Sequence, residues 1–101
     1  MNDIKNFLEP KTIAIIGASD EQGKVGYSLM KNLENFKGKV IPINIKHDSV
    51  FGLKAYKSVL DCKEKIDLAV IAIHSQFVKD IVEQCGKKRI NSVIIITSGF
   101  S

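Results

Sequence analysis

Residues Thr12 to Gly26 constrain this chain more than any other stretch. Thr12-Ile13-Ala14-Ile15-Ile16 is an unbroken apolar run, and it opens straight into the turn Gly17-Ala18-Ser19-Asp20-Glu21-Gln22-Gly23-Lys24-Val25-Gly26. A short apolar run without alternation suits a parallel strand covered on both faces. A helical period in Val25, Leu29, Leu33 and Phe36 follows the turn. A buried strand that aims a tight loop at the free N–H groups of the next helix is the geometry of a phosphate site. Glycine fits such a loop because it accepts positive φ and puts no Cβ between backbone and ligand.

The spacing narrows the choice of phosphate ligand. A Walker A loop needs four residues between its first Gly and Gly-Lys, then Ser or Thr for magnesium. Five residues separate Gly17 from Gly23-Lys24 here, and Val25 follows, which argues against an ATP-type loop. Gly17-Ala18-Ser19 also lacks the second glycine of the dinucleotide fingerprint. Two readings stay open on spacing alone. One is a looser Rossmann-type loop in which Gly23 and Gly26 open the helix around a different nucleotide; the other is a glycine-rich βα turn that binds nothing.

Composition removes other classes. The 101 residues suffice for one domain, and 45% hydrophobic with 26% charged residues separates the chain from disordered sequences. No apolar run approaches the roughly 20 residues of a membrane span, and Met1-Asn2-Asp3-Ile4-Lys5 has no signal-peptide character. A soluble, cytoplasmic protein without a membrane partner is expected. Cys62 and Cys85 form no CxxC and no metal-ligand spacing, so they are expected as reduced thiols. The net charge of +4 comes from scattered lysines and the single Arg89, with no RNP motif or recognition helix, so no nucleic-acid partner is expected. The one tight basic cluster, Lys87-Lys88-Arg89, falls at a helix-to-strand turn.

The rest of the chain reads in order. Asp3 to Leu8 predicts a short helix with Ile4, Phe7 and Leu8 on one side, ended by Pro10. A helix from Val25 to Phe36 is expected to stop at Gly38. Val40 to Ile45 predicts a strand, and Pro42 places it near an edge or a bulge. Gly52 to Tyr56 reads as a short third strand and Ser58 to Asp61 as one helical turn. Asp67 to Ile73 is the next buried strand. Ser75 is the expected N-cap of a helix that carries Phe77, Val78, Ile81, Val82 and Cys85 on one face and stops at Gly86. Ser92 to Thr97 is the last strand. This order predicts an α/β fold: a Rossmann-like, doubly wound parallel sheet of about five strands in three layers. The last strand has no helix after it to cover one face. Residues 1–101 are therefore expected to be one domain, the N-terminal fragment of a longer polypeptide. The alternative is a complete small protein that hides the face as a homo-oligomer.

Ligands of such sheets bind beyond the carboxyl ends of the strands. Four such ends are visible: Gly17 to Gly26, Asn44 to His47, Ile73 to Phe77, and Thr97 to Gly99. At the second, an NAD site would carry Asp or Glu for the ribose hydroxyls, whereas this chain has Lys46. A cation there suits an extra phosphate on the adenosine ribose, as in NADP or coenzyme A; the bland reading is a surface lysine at a strand end. His74 has no carboxylate partner nearby in sequence and reads first as structural. Asp20 and Glu21 read as solvated loop acids. There is no Ser–His–Asp set, metal-ligand cluster or general-base constellation, so a binding domain without catalytic residues is expected.

Ile15-Ile16-Gly17-Ala18-Ser19, Gly23-Lys24-Val25-Gly26, Pro42-Ile43-Asn44-Ile45-Lys46, Gly52-Leu53-Lys54-Ala55-Tyr56, Val59-Leu60-Asp61, Asp67 to Ile73 and Ser98-Gly99-Phe100-Ser101 together carry a resemblance over nearly the whole chain. The sequence resembles the CoA-binding domain of ADP-forming acyl-CoA (acetyl-CoA) synthetases, of the succinyl-CoA synthetase superfamily. The resemblance implies coenzyme A as the cofactor. It implies a phosphate and adenosine loop of Gly17, Ser19, Gly23, Lys24, Val25 and Gly26. It places Asn44 and Lys46 on the family's Asn-Pro-Lys, Ile73-His74-Ser75 on its Val-Pro-Ala turn, and Thr97-Ser98-Gly99 on the turn after the last strand. Ile45 and His74 stand where the family has proline. Family enzymes interconvert acyl-CoA, ADP and phosphate with acid, CoA and ATP through an acyl phosphate and a phosphohistidine. That histidine lies on a following domain, beside an ATP-grasp domain or subunit, and neither His47 nor His74 matches its motif. The expectation is the CoA-holding part of an acid–CoA ligase. The rivals are a CoA-sensing regulatory domain, alone or fused to an acyltransferase, and an NADP-binding Rossmann domain.

Overall fold

The apolar run Thr12–Ile16 forms β1, and Ile13 to Ile16 are all buried. In the computed structural model, which describes residues 9–96, β1 is flanked by two parallel partners. They are β2 (Lys39–Ile43), with Ile13 opposite Val40, and the later strand β5 (Leu68–Ile71), with Ile13 opposite Leu68. The last strand, β6 (Ser92–Ile95), pairs parallel with β5, giving the order β2-β1-β5-β6. The buried carboxylate of Asp67 accepts from the N–H groups of Lys11 and Thr12 at 2.9 and 3.1 Å, fixing where β1 and β5 begin side by side.

The fold class is the expected Rossmann-like α/β type, and among the described residues the main sheet has four strands. The third strand expected over Gly52 to Tyr56 is present as two residues, Leu53–Lys54, outside the main sheet and paired with the unexpected strand Ser49–Val50 just before it. Together they form the hairpin β3 (Ser49–Val50) and β4 (Leu53–Lys54), with Tyr56 bridging to Ile43. Phe51 and Gly52, at φ 51° and 76°, make the tight turn, since two consecutive positive φ values match the right-handed twist of a two-residue hairpin. Pro42 lies on the edge strand, as expected.

Alternate residues of the sheet feed two cores. Ala14, Ile16, Ala69 and Ile71 pack with Val78, Ile81 and Cys85 of α2 (Ser75–Lys88). Ile13, Ile15, Leu68 and Val70 pack with Leu29 and Met30 of α1 (Val25–Asn32). The helices therefore cover opposite faces, and each fully buried isoleucine contributes about 1.5–3 kcal/mol relative to exposure. On the α1 side, Ile94 of β6 remains 41% exposed, in line with a partly bare face beside the last strand.

Three helix boundaries differ from expectation. α1 ends at Asn32; Leu33 to Phe36 continue only as turns, with Phe36 N–H donating to Leu33 C=O, yet Leu33 and Phe36 still pack on the core and so extend the helical period. Gly38 does not stop this helix. A Cβ there would fall within 3.0 Å of the Lys11 carbonyl and the Phe36 ring. α2 runs through Gly86 and ends at Arg89, held at φ 66°. Arg89 N–H donates to Gly86 C=O and Ile90 N–H to Cys85 C=O, a Schellman closure that turns Ile90 back into the core. Ser75 is the first residue of α2, and His74 occupies the N-cap. The turn Val59–Asp61 is capped by Ser58 Oγ, which accepts from Leu60 N–H and donates to Gln84 Oε1 on α2. The expected helix at Asp3 to Leu8 and the end of the last strand at Thr97 lie outside the described residues. Among the described residues no helix is long and apolar enough to cross a membrane.

Candidate functional site

β1 and β5 are neighbours, but the chain leaves them in opposite senses. From β1 it passes through α1 to β2, and from β5 through α2 to β6, on the other face and toward the other edge. The space between the two exits is the topological switch point, where open α/β sheets hold ligands.

The first exit is the glycine loop. Gly17 takes φ 96°, and the N–H groups of Gly17 and Ala18 both donate to Ile43 C=O at 3.0 and 3.2 Å. A Cβ on Gly17 would fall within 3.0 Å of the Ala72 carbonyl, so the loop presses against the end of β5. Gly26, buried, lies against the Gly17 carbonyl with the same lack of room. Gly23 differs: φ is 93°, but open space surrounds it. Ser19 Oγ accepts from Glu21 N–H at 2.9 Å and shapes the loop from within. Lys24 is the N-cap of α1, makes no side-chain cap, and the first turn carries no acid. Val25, the first helical residue, is 37% exposed. The partial positive charge of this helix end is left without a side-chain answer, which suits an anion.

The second exit is short. Ile73 is half-buried against the α2-side core, and His74 and Ser75 are exposed. His74, at φ −59° and ψ 143°, gives α2 no side-chain cap, and its first turn also lacks an acid.

The end of β2 forms the third wall. Asn44 Nδ2 donates to Ala18 C=O at 2.9 Å, while its Oδ1 accepts from Lys46 N–H and His47 N–H, each at 2.7 Å. Lys46 is exposed, and neither it nor Lys24 makes an ion pair among the described residues. Three other lysines are paired: Lys31 with Glu34, Lys57 with Asp48, and Lys39 with Glu64, whose hydrogen bond holds the Lys39 ammonium above its ordinary pKa. Ile45, 77% exposed beside Lys46, offers apolar surface at the site. Sequence reasoning noted Ile45 only as a departure from proline; the signal available was an apolar residue between two polar ones just past a strand.

Of the expected site residues, Gly26 lies against Gly17, Asn44 is hydrogen-bonded to the adjoining Ala18, and Ser19, Gly23, Lys24, Val25, Lys46, Ile73, His74 and Ser75 border the same crevice by their positions at the three strand ends. Thr97, Ser98 and Gly99 lie outside the described residues. A groove of about 520 Å³, lined by Met30, Leu33, Phe36, Val40, Phe51 and Leu53, runs along the outer margin of β2, away from the crevice. The candidate site is thus set by converging donors and not by an enclosed cavity. Neither thiol reaches it: Cys62 and Cys85 are buried in the core, and burial pushes the Cys85 thiol pKa up. Among the described residues no cluster of three metal-ligating side chains occurs.

Comparison with known proteins adds to this geometry. A family described as CoA binding domain matches residues 11–101. The chain is 54% identical over 99 residues to the acetate–CoA ligase [ADP-forming] of Methanocaldococcus jannaschii, covering 98% of this chain and 14% of that protein. It is 45% identical over 95 residues to the acetate–CoA ligase [ADP-forming] II subunit alpha of Pyrococcus furiosus, covering 93% of this chain and 21% of that subunit. A solved structure of the dinucleotide-forming acetyl-coenzyme A synthetase 1 of Ca. Korarchaeum cryptofilum, in complex with phosphate and ADP, superposes with a TM-score of 0.91 at 42% identity. That match covers 99% of this chain and 22% of that one. The chain thus spans roughly a seventh to a fifth of these relatives.

Proposed function

Because the chain belongs to the CoA-binding domain family, we propose that it holds the nucleotide end of coenzyme A for an ADP-forming acid–CoA ligase. One observation carries this reading. A glycine loop, an uncapped helix end and an unpaired Lys46 converge on one switch point, with a cation at the strand end where an NAD site carries an acid.

The donor set fits the group. Loop and helix N–H groups receive the pyrophosphate, Lys24 adds charge beside it, and Lys46 answers the phosphate on the adenosine ribose. Ile45 and Val25, both exposed, give the base an apolar surface. Coenzyme A supplies the thiol that becomes acylated; held by its nucleotide end, it leaves that thiol free to reach chemistry on further ligase and ATP-grasp domains or a partner subunit. Residues 1–101 then form one CoA-binding unit of a longer polypeptide, and this unit carries no catalytic residue of its own. Two free, buried cysteines accord with a reducing, cytoplasmic setting.

The test is calorimetric titration of the protein with CoA, dephospho-CoA, NADP and NAD in parallel. Saturable CoA binding, weaker for dephospho-CoA and absent for NAD, is expected. NADP binding with CoA silent would replace the reading with a nicotinamide dinucleotide domain, and silence with every ligand would leave the glycine loop a structural turn. Formation of ATP from acyl-CoA, ADP and phosphate by the full-length polypeptide separates the ligase from a CoA-sensing regulator that binds without turnover.

A further inference from the structure

Asn44 lies just past β2, where sequence alone counts it among the residues that touch the ligand. Its side chain is already committed within the protein. Nδ2 donates to Ala18 C=O at 2.9 Å, and Oδ1 accepts from both Lys46 N–H and His47 N–H at 2.7 Å. Three of the amide's four hydrogen-bonding positions are thereby filled. The bonds join two segments 26 residues apart, and they run parallel to a backbone tie in which Gly17 N–H and Ala18 N–H share Ile43 C=O. Only a carboxamide of this length can donate to one loop and accept twice from the next. Aspartate lacks the donor, and serine lacks the reach.

Resting on the CoA reading above, we infer that Asn44 is a positioning residue that acts through Lys46 and does not itself contact the ligand. The double acceptance fixes the backbone at Lys46 and so the direction in which its ammonium leaves the strand end. The donation keeps Ala18 C=O turned into the protein. That matters because a carbonyl oxygen facing a phosphate opposes binding, whereas the loop N–H groups favour it.

A double-mutant cycle tests this, with CoA and dephospho-CoA titrated against the wild type, Asn44→Ala, Lys46→Ala and the double variant. The wild type must first prefer CoA over dephospho-CoA; if it does not, the CoA reading has failed, and that failure is separate from the role of Asn44. Given that preference, Asn44→Ala should reduce it about tenfold, the scale of one charge-assisted contact. In the Lys46→Ala background the same change should leave the CoA/dephospho-CoA ratio unaltered, because the group that Asn44 positions is gone. Equal loss of the ratio in both backgrounds would make Asn44 a direct ligand of the ribose phosphate and overturn the inference. So would an unchanged ratio in Asn44→Ala. If that variant fails to fold, Asn44→Leu, of similar size but unable to accept from the Lys46 and His47 amides, goes through the same cycle with the same criteria. Hydrogen exchange on the ligand-free wild type gives an independent reading. The Lys46 and His47 amides should exchange slowly, and fast exchange at both would remove the positioning role.

Discussion

The two strand exits that border the crevice are built on opposite principles. From β1 the chain takes eight residues, Gly17 to Lys24, to reach its helix; from β5 it takes three, Ala72 to His74. The long exit is packed backbone to backbone: Gly17 against the Ala72 carbonyl, Gly26 against the Gly17 carbonyl, and two N–H groups on Ile43 C=O. The short exit is anchored only at its first residue, where Ala72 N–H donates to Ile16 C=O; His74 and Ser75 are exposed, and there is no side-chain cap. Both present a helix N-terminus, but only at the long one are the two ends of the loop, Gly17 and Gly26, pressed against backbone.

That contrast can be broken most sharply at Gly26. Alanine in a helix is ordinarily better than glycine by about 1 kcal/mol, yet here the new methyl would collide with the Gly17 carbonyl. Gly26→Ala should destabilise the protein by about 3 kcal/mol in denaturant unfolding. A stability gain would mean that the helix does not press on the loop. Next in size is charge reversal at the third wall. Lys46→Glu should weaken CoA about 30-fold and dephospho-CoA far less, with the difference shrinking at high salt; equal losses by calorimetry would remove Lys46 from the ribose-phosphate role. Gly23→Ala isolates conformation from crowding, since φ is 93° with no neighbour in the way. About 1 kcal/mol of stability should be lost, read from the unfolding midpoint, and a loss as large as at Gly26 would show the loop to be tight throughout. The smallest effect is expected at the short exit. His74 already sits at φ −59°, within proline's range. His74→Pro should raise stability by about 0.5 kcal/mol through the unfolded chain, and a loss above 1 kcal/mol by the same measurement would show that this exit is constrained after all.

Much of this was legible in the residues. β1 announces itself because a strand buried on both faces needs an unbroken apolar run, and the placing of β2 at the edge followed from the missing N–H of Pro42. The helix stops were misread because glycine has more than one use. Gly38 is required by the closeness of Phe36 and Lys11, and Gly86 is simply passed over, while Arg89 takes the left-handed position that glycine usually fills. The hairpin was hidden because a bulky Phe51 stands at positive φ, where Asn or Gly would have given it away. At the site, residue types located the glycine loop and the exposed Lys46 just past β2. They could not separate a residue that touches a ligand from one that braces the residue that does, because Asn44 is polar in either role. That distinction lives in hydrogen-bond partners 26 positions away.

The edge position of Pro42 has a consequence for how this sheet can grow. Along the outer side of β2, Pro42 has no N–H to give, its carbonyl is taken by Tyr56 N–H, and Asn44 N–H is spent on Tyr56 C=O. Little of a strand template is left on that margin. β6 carries no such block: among the described residues nothing pairs with its far side, and Ile94 and Ile95 stand half exposed. The sheet is therefore polar in the sense of a one-way zip. Any further strand, whether from the same polypeptide or from a second molecule, is directed to the β6 margin, and polymerisation from both edges at once is denied to it.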